Sequence, residues 1–152
     1  MDQKKVISTL NDLIENCKDG EYGFRRTAEH LSSGSLRQVF LTRAEECQRG
    51  AQELQGLVMQ LGGDPEEKGT VAGAAHRGWV AVKGALGGDS DLSMLEEAER
   101  GEDTALARYR SALEEELPAE IRMVVQRQYE GAKRNHEVVR ELRDRERLRE
   151  KG

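Results

Sequence analysis

Residues 35–63, SLRQVFLTRAEECQRGAQELQGLVMQLGG, decide the fold. Leu36, Phe40, Ala44, Cys47, Ala51, Leu54, Val58 and Leu61 recur at spacings of three and four, the period of one helical face. Ser35 and Gln38 stand at capping-box spacing before the stripe, and Gly62-Gly63 ends it. The segment therefore reads as one long amphipathic helix with a single apolar face to bury.

Upstream, Val6, Leu10, Leu13, Cys17, Phe24, Ala28 and Leu31 form a second stripe behind an Asp2 cap, and Ser32-Ser33-Gly34-Ser35 breaks it. So short a turn makes the two helices antiparallel neighbours. Downstream, Ser93 and Glu96 offer another capping box, and Leu95, Ala98, Ala105, Tyr109 and Leu113 carry a third helix to Glu116. Pro118 suits the first turn of a fourth, with Ile121, Val125, Gln128, Ala132, His136, Val139 and Leu142 facing inward. The pattern predicts an all-α four-helix bundle made of two antiparallel hairpins whose tips point oppositely.

The connection between hairpins, residues 63–92, is too long for a simple turn. Asp64-Pro65-Glu66 reads as a short helical start, and Val71 to Leu86 is rich in Ala and Gly with bulk from Trp79, Val80 and Val82. This predicts an additional helix in the crossover, packed on the bundle.

The chain has 152 residues, of which 35% are charged and only 4% aromatic, as expected of one helical domain over residues 1–152. A net charge of −5 gives no general attraction to nucleic acid or anionic membranes. The acids and amides in MDQKKVISTLNDLIENCKDGE leave no apolar signal-peptide core, and no stretch approaches a membrane span. A cytoplasmic location is expected, with Cys17 and Cys47 read as buried thiols in a reducing compartment, a structural bridge or thiolate ligand being the alternative. In the tail, residues 143–152, acids interrupt the basic run, which suits a solvated helical extension. Surface stripes on such long helices could build a homodimer. No phosphate loop, nucleophile elbow or close cysteine pair points to a hydrolase or nucleotide enzyme.

Two glutamates interrupt the core stripes: Glu21 follows Cys17, and Glu102 lies between Ala98 and Ala105. A carboxylate in a bundle core is costly unless it is protonated, paired or bound to a cation. With the hairpin tips opposed, Glu21, Glu46, Glu102 and His136 fall at one height and form the candidate metal layer. Glu21 is expected opposite Glu45/Glu46, and Glu102 opposite Lys133.

Leu61-Gly62-Gly63-x-Pro65, His76-Arg77-Gly78-Trp79, Gly101-Glu102 followed by Tyr109, and His136 in a long last helix follow one another in this order along the chain. This set resembles a bacterial family of ferritin-like four-helix proteins of unknown function. The resemblance implies a four-helix bundle with an extra crossover helix, and no established activity. Ferritin-like di-metal sites use one Glu from each of two helices and Glu-x-x-His from each of the others. Here Arg49 stands where the His after Glu46 belongs, and Lys133 where the Glu before His136 belongs.

The reading is therefore a bundle with a degenerate metal layer and a non-catalytic structural, stress-associated or interaction role. The alternative is a metal-binding protein with oxidoreductase or metal-handling activity, taking iron, manganese, copper or zinc. His76, Arg77 and Trp79 read either as a ligand or partner site, or as the anchor of the crossover with Trp79 buried.

Overall fold

The computed structural model describes residues 2–69 and 90–151. Four helices fill them: α1 (Gln3–Glu29), α2 (Gly34–Gln60), α3 (Asp91–Leu113) and α4 (Ala119–Lys151). The helix expected at 71–86, and with it His76, Arg77 and Trp79, lies outside the described residues.

Asp2 caps α1 by accepting from the Lys4 N–H at 3.0 Å, as the sequence suggests. The other two caps differ from expectation. Ser33 rather than Ser35 caps α2, accepting from Leu36 N at 3.3 Å, and Ser90 rather than Ser93 caps α3, accepting from Ser93 N at 3.1 Å. In both cases the serine stands three residues before the last amide of the first turn that lacks an intrahelical acceptor, and is the one in reach of it. Asp64-Pro65-Glu66 is not helical. Asn11 holds this stretch against α1, donating to the Asp64 carbonyl at 3.2 Å and accepting from Glu66 N at 2.9 Å. Gly62 turns the chain there with φ +78, and a Cβ on Gly63 would come within 2.9 Å of Ile7.

The hairpin tips do point oppositely. At one end, Asp91 in the first turn of α3 accepts from Ser32 N at 2.7 Å and Ser33 N at 3.2 Å, tying the α1–α2 tip to the start of α3. At the other, Lys5 pairs with Glu115 at 3.2 Å, and Arg122 donates to the carbonyls of Leu113 at 2.8 Å and Glu115 at 2.6 Å. Thus α2 and α3 run parallel and diagonal, which only a connection as long as the bundle can join. The tail is less free than its charge pattern suggests. Arg143 pairs with Glu99, and Arg147 with Glu96 at 2.9 Å, so α4 stays docked on α3 through this stretch.

The core divides into two apolar clusters. One gathers Leu10, Leu13, Ile14, Leu54, Val58 and Val125 toward the α3–α4 tip. The other gathers Phe24, Leu31, Phe40, Met94, Leu95 and Val139 toward the α1–α2 tip. Phe24 and Phe40 meet edge to face, with centroids 5.7 Å apart. Between the clusters lies a layer of different chemistry.

Candidate functional site

In the middle layer the helices bring together Cys17 (α1), Arg43 and Cys47 (α2), Glu102 and Tyr109 (α3), and Gln128 and Asn135 (α4). α1 packs along α2 and α3, and α3 along α4, whereas α2 and α4 meet over only a short stretch. There Gln128 donates to Glu53 at 2.9 Å and to the Gly50 carbonyl at 3.3 Å, beside an Arg127–Glu53 ion pair. The looser side leaves a cavity of about 910 Å³, lined by all four helices and including Glu102, Arg43, both thiols and Tyr109.

Glu102 is the member of the predicted metal layer that lies fully inside, 6% exposed. Its Oε2 accepts from Asn135, and its buried Oε1 has no hydrogen-bond partner. Burial pushes its pKa up to about 7; Asn135 and the Arg43 guanidinium pull it down, while Asp103 and Glu99 add to the rise. Near neutral pH this carboxyl is therefore shared between its two protonation states. The partner expected for it was Lys133. The α3–α4 register instead pairs 102 with 135, the offset that also sets Tyr109 against Gln128 at 3.0 Å, so Lys133 falls outside, over the Tyr129 ring.

The other three predicted ligands are placed elsewhere. Glu21 is half-buried and 3.4 Å from Arg25, because the inner stripe of α1 passes from Cys17 through Gly20 to Phe24. Gly20 faces Cys47, and a Cβ there would stand 2.9 Å from its Sγ. Glu46 is exposed and 3.4 Å from Arg43, since Cys47 takes the inward position. His136 sits one residue past Asn135 and turns to α3, its Nε2 2.8 Å from Asp103 Oδ1, without the alignment of a hydrogen bond. Among the described residues, the group of His, Cys, Asp and Glu side chains close enough to share an ion is Glu99, Asp103 and His136, with ligand atoms all within 4.8 Å. That trio shares only His136 with the predicted set.

The thiols are free and buried. Burial raises both, Cys47 to about 12, partly offset by Arg43; at Cys17 the offset comes first from Tyr109, whose hydroxyl lies 3.5 Å from Sγ. They are neutral thiols at physiological pH, poor nucleophiles and poor preformed metal ligands. Their burial follows the sequence expectation. The roles of Arg43, Asn135 and the glycines beside the thiols were missed. Arg43 could have been found four residues before Cys47, on the same face, and each glycine by its distance across the α1–α2 turn from the thiol it faces, Gly50 from Cys17 and Gly20 from Cys47.

A dinuclear carboxylate centre does not fit this donor set. Two oxygen-preferring cations need about six protein ligands, and the cavity's buried carboxyls are Glu102, beside the Arg43 guanidinium, and Glu97, which Arg100 already holds at 2.7 Å, with two protonated thiols between the helices.

The chain belongs to a family described as a domain of unknown function (DUF2383), whose profile matches residues 5–115. No curated protein sequence matches it. Among solved structures it is similar to a mutant of the Dps1 protein of Mycobacterium smegmatis, with TM-score 0.76, 14% identity, and 93% of this chain and 96% of that one covered. It is also similar to a dodecameric thioferritin, the bacterioferritin-related protein from Bacteroides fragilis, with TM-score 0.75, 16% identity, and 99% and 92% covered. These likenesses show a ferritin-like all-α fold. Among the described residues, no helix is long and apolar enough to cross a membrane.

Proposed function

We propose that this protein is a ferritin-like bundle that has given up the dinuclear centre of its fold and serves a non-catalytic structural, stress-associated or interaction role. The observation that carries this reading is Arg43. Its side chain is largely buried, and its guanidinium acts on Glu102, where a metal layer would place another carboxylate. A fixed cation beside this buried carboxyl opposes a second positive charge there.

Elemental analysis of untagged protein tests it. The expected result is folded protein without stoichiometric iron, manganese, copper or zinc. Two metal ions per chain would overturn it.

A second reading, metal handling at a single site, is favoured by Glu99, Asp103 and His136. One His and two carboxylates suit one divalent ion, although Arg143 already engages Glu99 and Asp103 is exposed. Titration with zinc or manganese separates the readings: one ion per chain, lost on His136→Ala, would favour the second.

A further inference from the structure

The groove between α3 and α4 carries a ladder of charges. Glu96, Glu99 and Asp103 follow one another along one face of α3 at steps of three and four, and α4 answers them with Arg147, Arg143 and His136. Two rungs are ion pairs, Arg147–Glu96 at 2.9 Å and Arg143–Glu99. The third is different. His136 Nε2 stands 2.8 Å from Asp103 Oδ1, yet this buried nitrogen has no aligned hydrogen bond. Neighbouring ligands of one ion stand in the same way, since bonds of about 2.1 Å set them about 3 Å apart.

Charge points in the same direction. Glu99, Asp103 and Asp144 have one guanidinium among them, that of Arg143, which engages Glu99 and reaches Asp144 at 3.0 Å. Arg100, Arg140 and Arg147 are held by Glu97, Glu137 and Glu96. Three carboxylates against one guanidinium leave two negative charges, which a single divalent cation would balance. Glu99, Asp103 and His136 offer ligand atoms within 4.8 Å of one another, and the Asp103 side chain, 63% exposed, gives an ion its way in and can swing to close the gap. The obstacle is Arg143, because a guanidinium and a metal ion compete for the same carboxylate of Glu99. Asp144 supplies the alternative partner, already accepting from Arg143 Nε at 3.2 Å.

We propose that Arg143 is a latch on a divalent-cation site: an ion bound by Glu99, Asp103 and His136 takes Glu99 from Arg143, leaves the guanidinium to Asp144, and so loosens the last turns of α4 from α3. One imidazole and two carboxylates suit a divalent first-row transition ion. The inference rests on the single-ion reading of this trio and is independent of the loss of a dinuclear centre.

Titration of the full chain with cobalt(II), a stand-in for zinc whose absorption spectrum reports its ligands, tests it. One ion per chain is expected, with nitrogen and oxygen ligation and no thiolate band, and the binding should be lost in His136→Ala. Arg143→Gln should bind about tenfold tighter or more, since it removes a charge-assisted hydrogen bond that the ion otherwise displaces. Arg147→Gln deletes the same charge one rung away without touching the trio, and should change the affinity by less than about threefold. In the wild-type protein itself, added cobalt should quicken amide exchange over residues 143–149, and in Arg143→Gln it should not quicken it further. Failure of both wild type and Arg143→Gln to bind cobalt, or ligation by thiolate, would overturn the single-ion reading and the latch with it. Binding that Arg143→Gln does not tighten, that Arg147→Gln tightens equally, or that leaves exchange in the tail unchanged would overturn the latch alone.

Discussion

The two ends of the bundle and its middle obey different rules. At the ends, Leu10, Phe40, Leu54 and Val139 are entirely buried among apolar neighbours. In the middle, a carboxyl, a guanidinium, two thiols, a phenol and two amides share one layer beside a cavity. The ends gain the full free energy of apolar burial. The middle forgoes part of it, leaving polar atoms unsatisfied and backbone bare. A fold that tolerates such a layer is held by what lies above and below it, so perturbing the two kinds of region should give effects of different size and even sign.

The largest expected effect is at an end. Phe40→Ala should lower unfolding free energy by about 3–5 kcal/mol, measured by denaturant titration; a loss below 1 kcal/mol would show that the Phe24–Phe40 cluster is not the anchor it appears from its burial.

Next comes Glu102. Its folded pKa of about 7 lies above the ordinary carboxyl value of 4.5, so the folded state holds a proton that the unfolded state releases. Its contribution is complete below pH 4.5, declines as pH rises and is gone above pH 7, a change of about 3 kcal/mol. Glu102→Gln, which cannot ionise, should remove that slope and stabilise the protein above pH 7. Identical pH profiles for the two proteins would place the charge elsewhere.

Asp91→Ala should have a smaller effect. It deletes two charge-assisted bonds to Ser32 and Ser33 at an end, and a loss of about 1–3 kcal/mol is expected. Hydrogen exchange should quicken first at the α1–α2 tip.

The smallest effect has the opposite sign. Gly131→Ala in the middle layer should stabilise by about 0.5–1 kcal/mol, because the helix gains and nothing clashes. Destabilisation there would mean that the cavity wall is already in contact with something.

The periodicity of residues 3–61 and 91–142 carried the helices, the antiparallel hairpins and most of the buried residues, because burying one face of a 3.6-residue repeat leaves little choice. The long second connection likewise called for opposed tips. Glu102 was legible as a carboxyl in a core stripe. Its partner was not, for a register offset of two residues exchanges Lys133 for Asn135 and no local pattern encodes that offset. Glu21 was misplaced for a related reason: a stripe can step by three or by four, and only the thiol of Cys47, on the facing helix, selects Gly20 for the inner position. His136 was read as inward, yet the same register turns it to Glu99 and Asp103 on the neighbouring helix.

By itself, then, the sequence determined which faces of which helices are apolar, since that follows from spacing along one chain. The tertiary structure decided which polar side chains share the middle layer and what cavity they enclose. Those depend on how far one helix slides and rotates against another, and that is set by the packing of all four together.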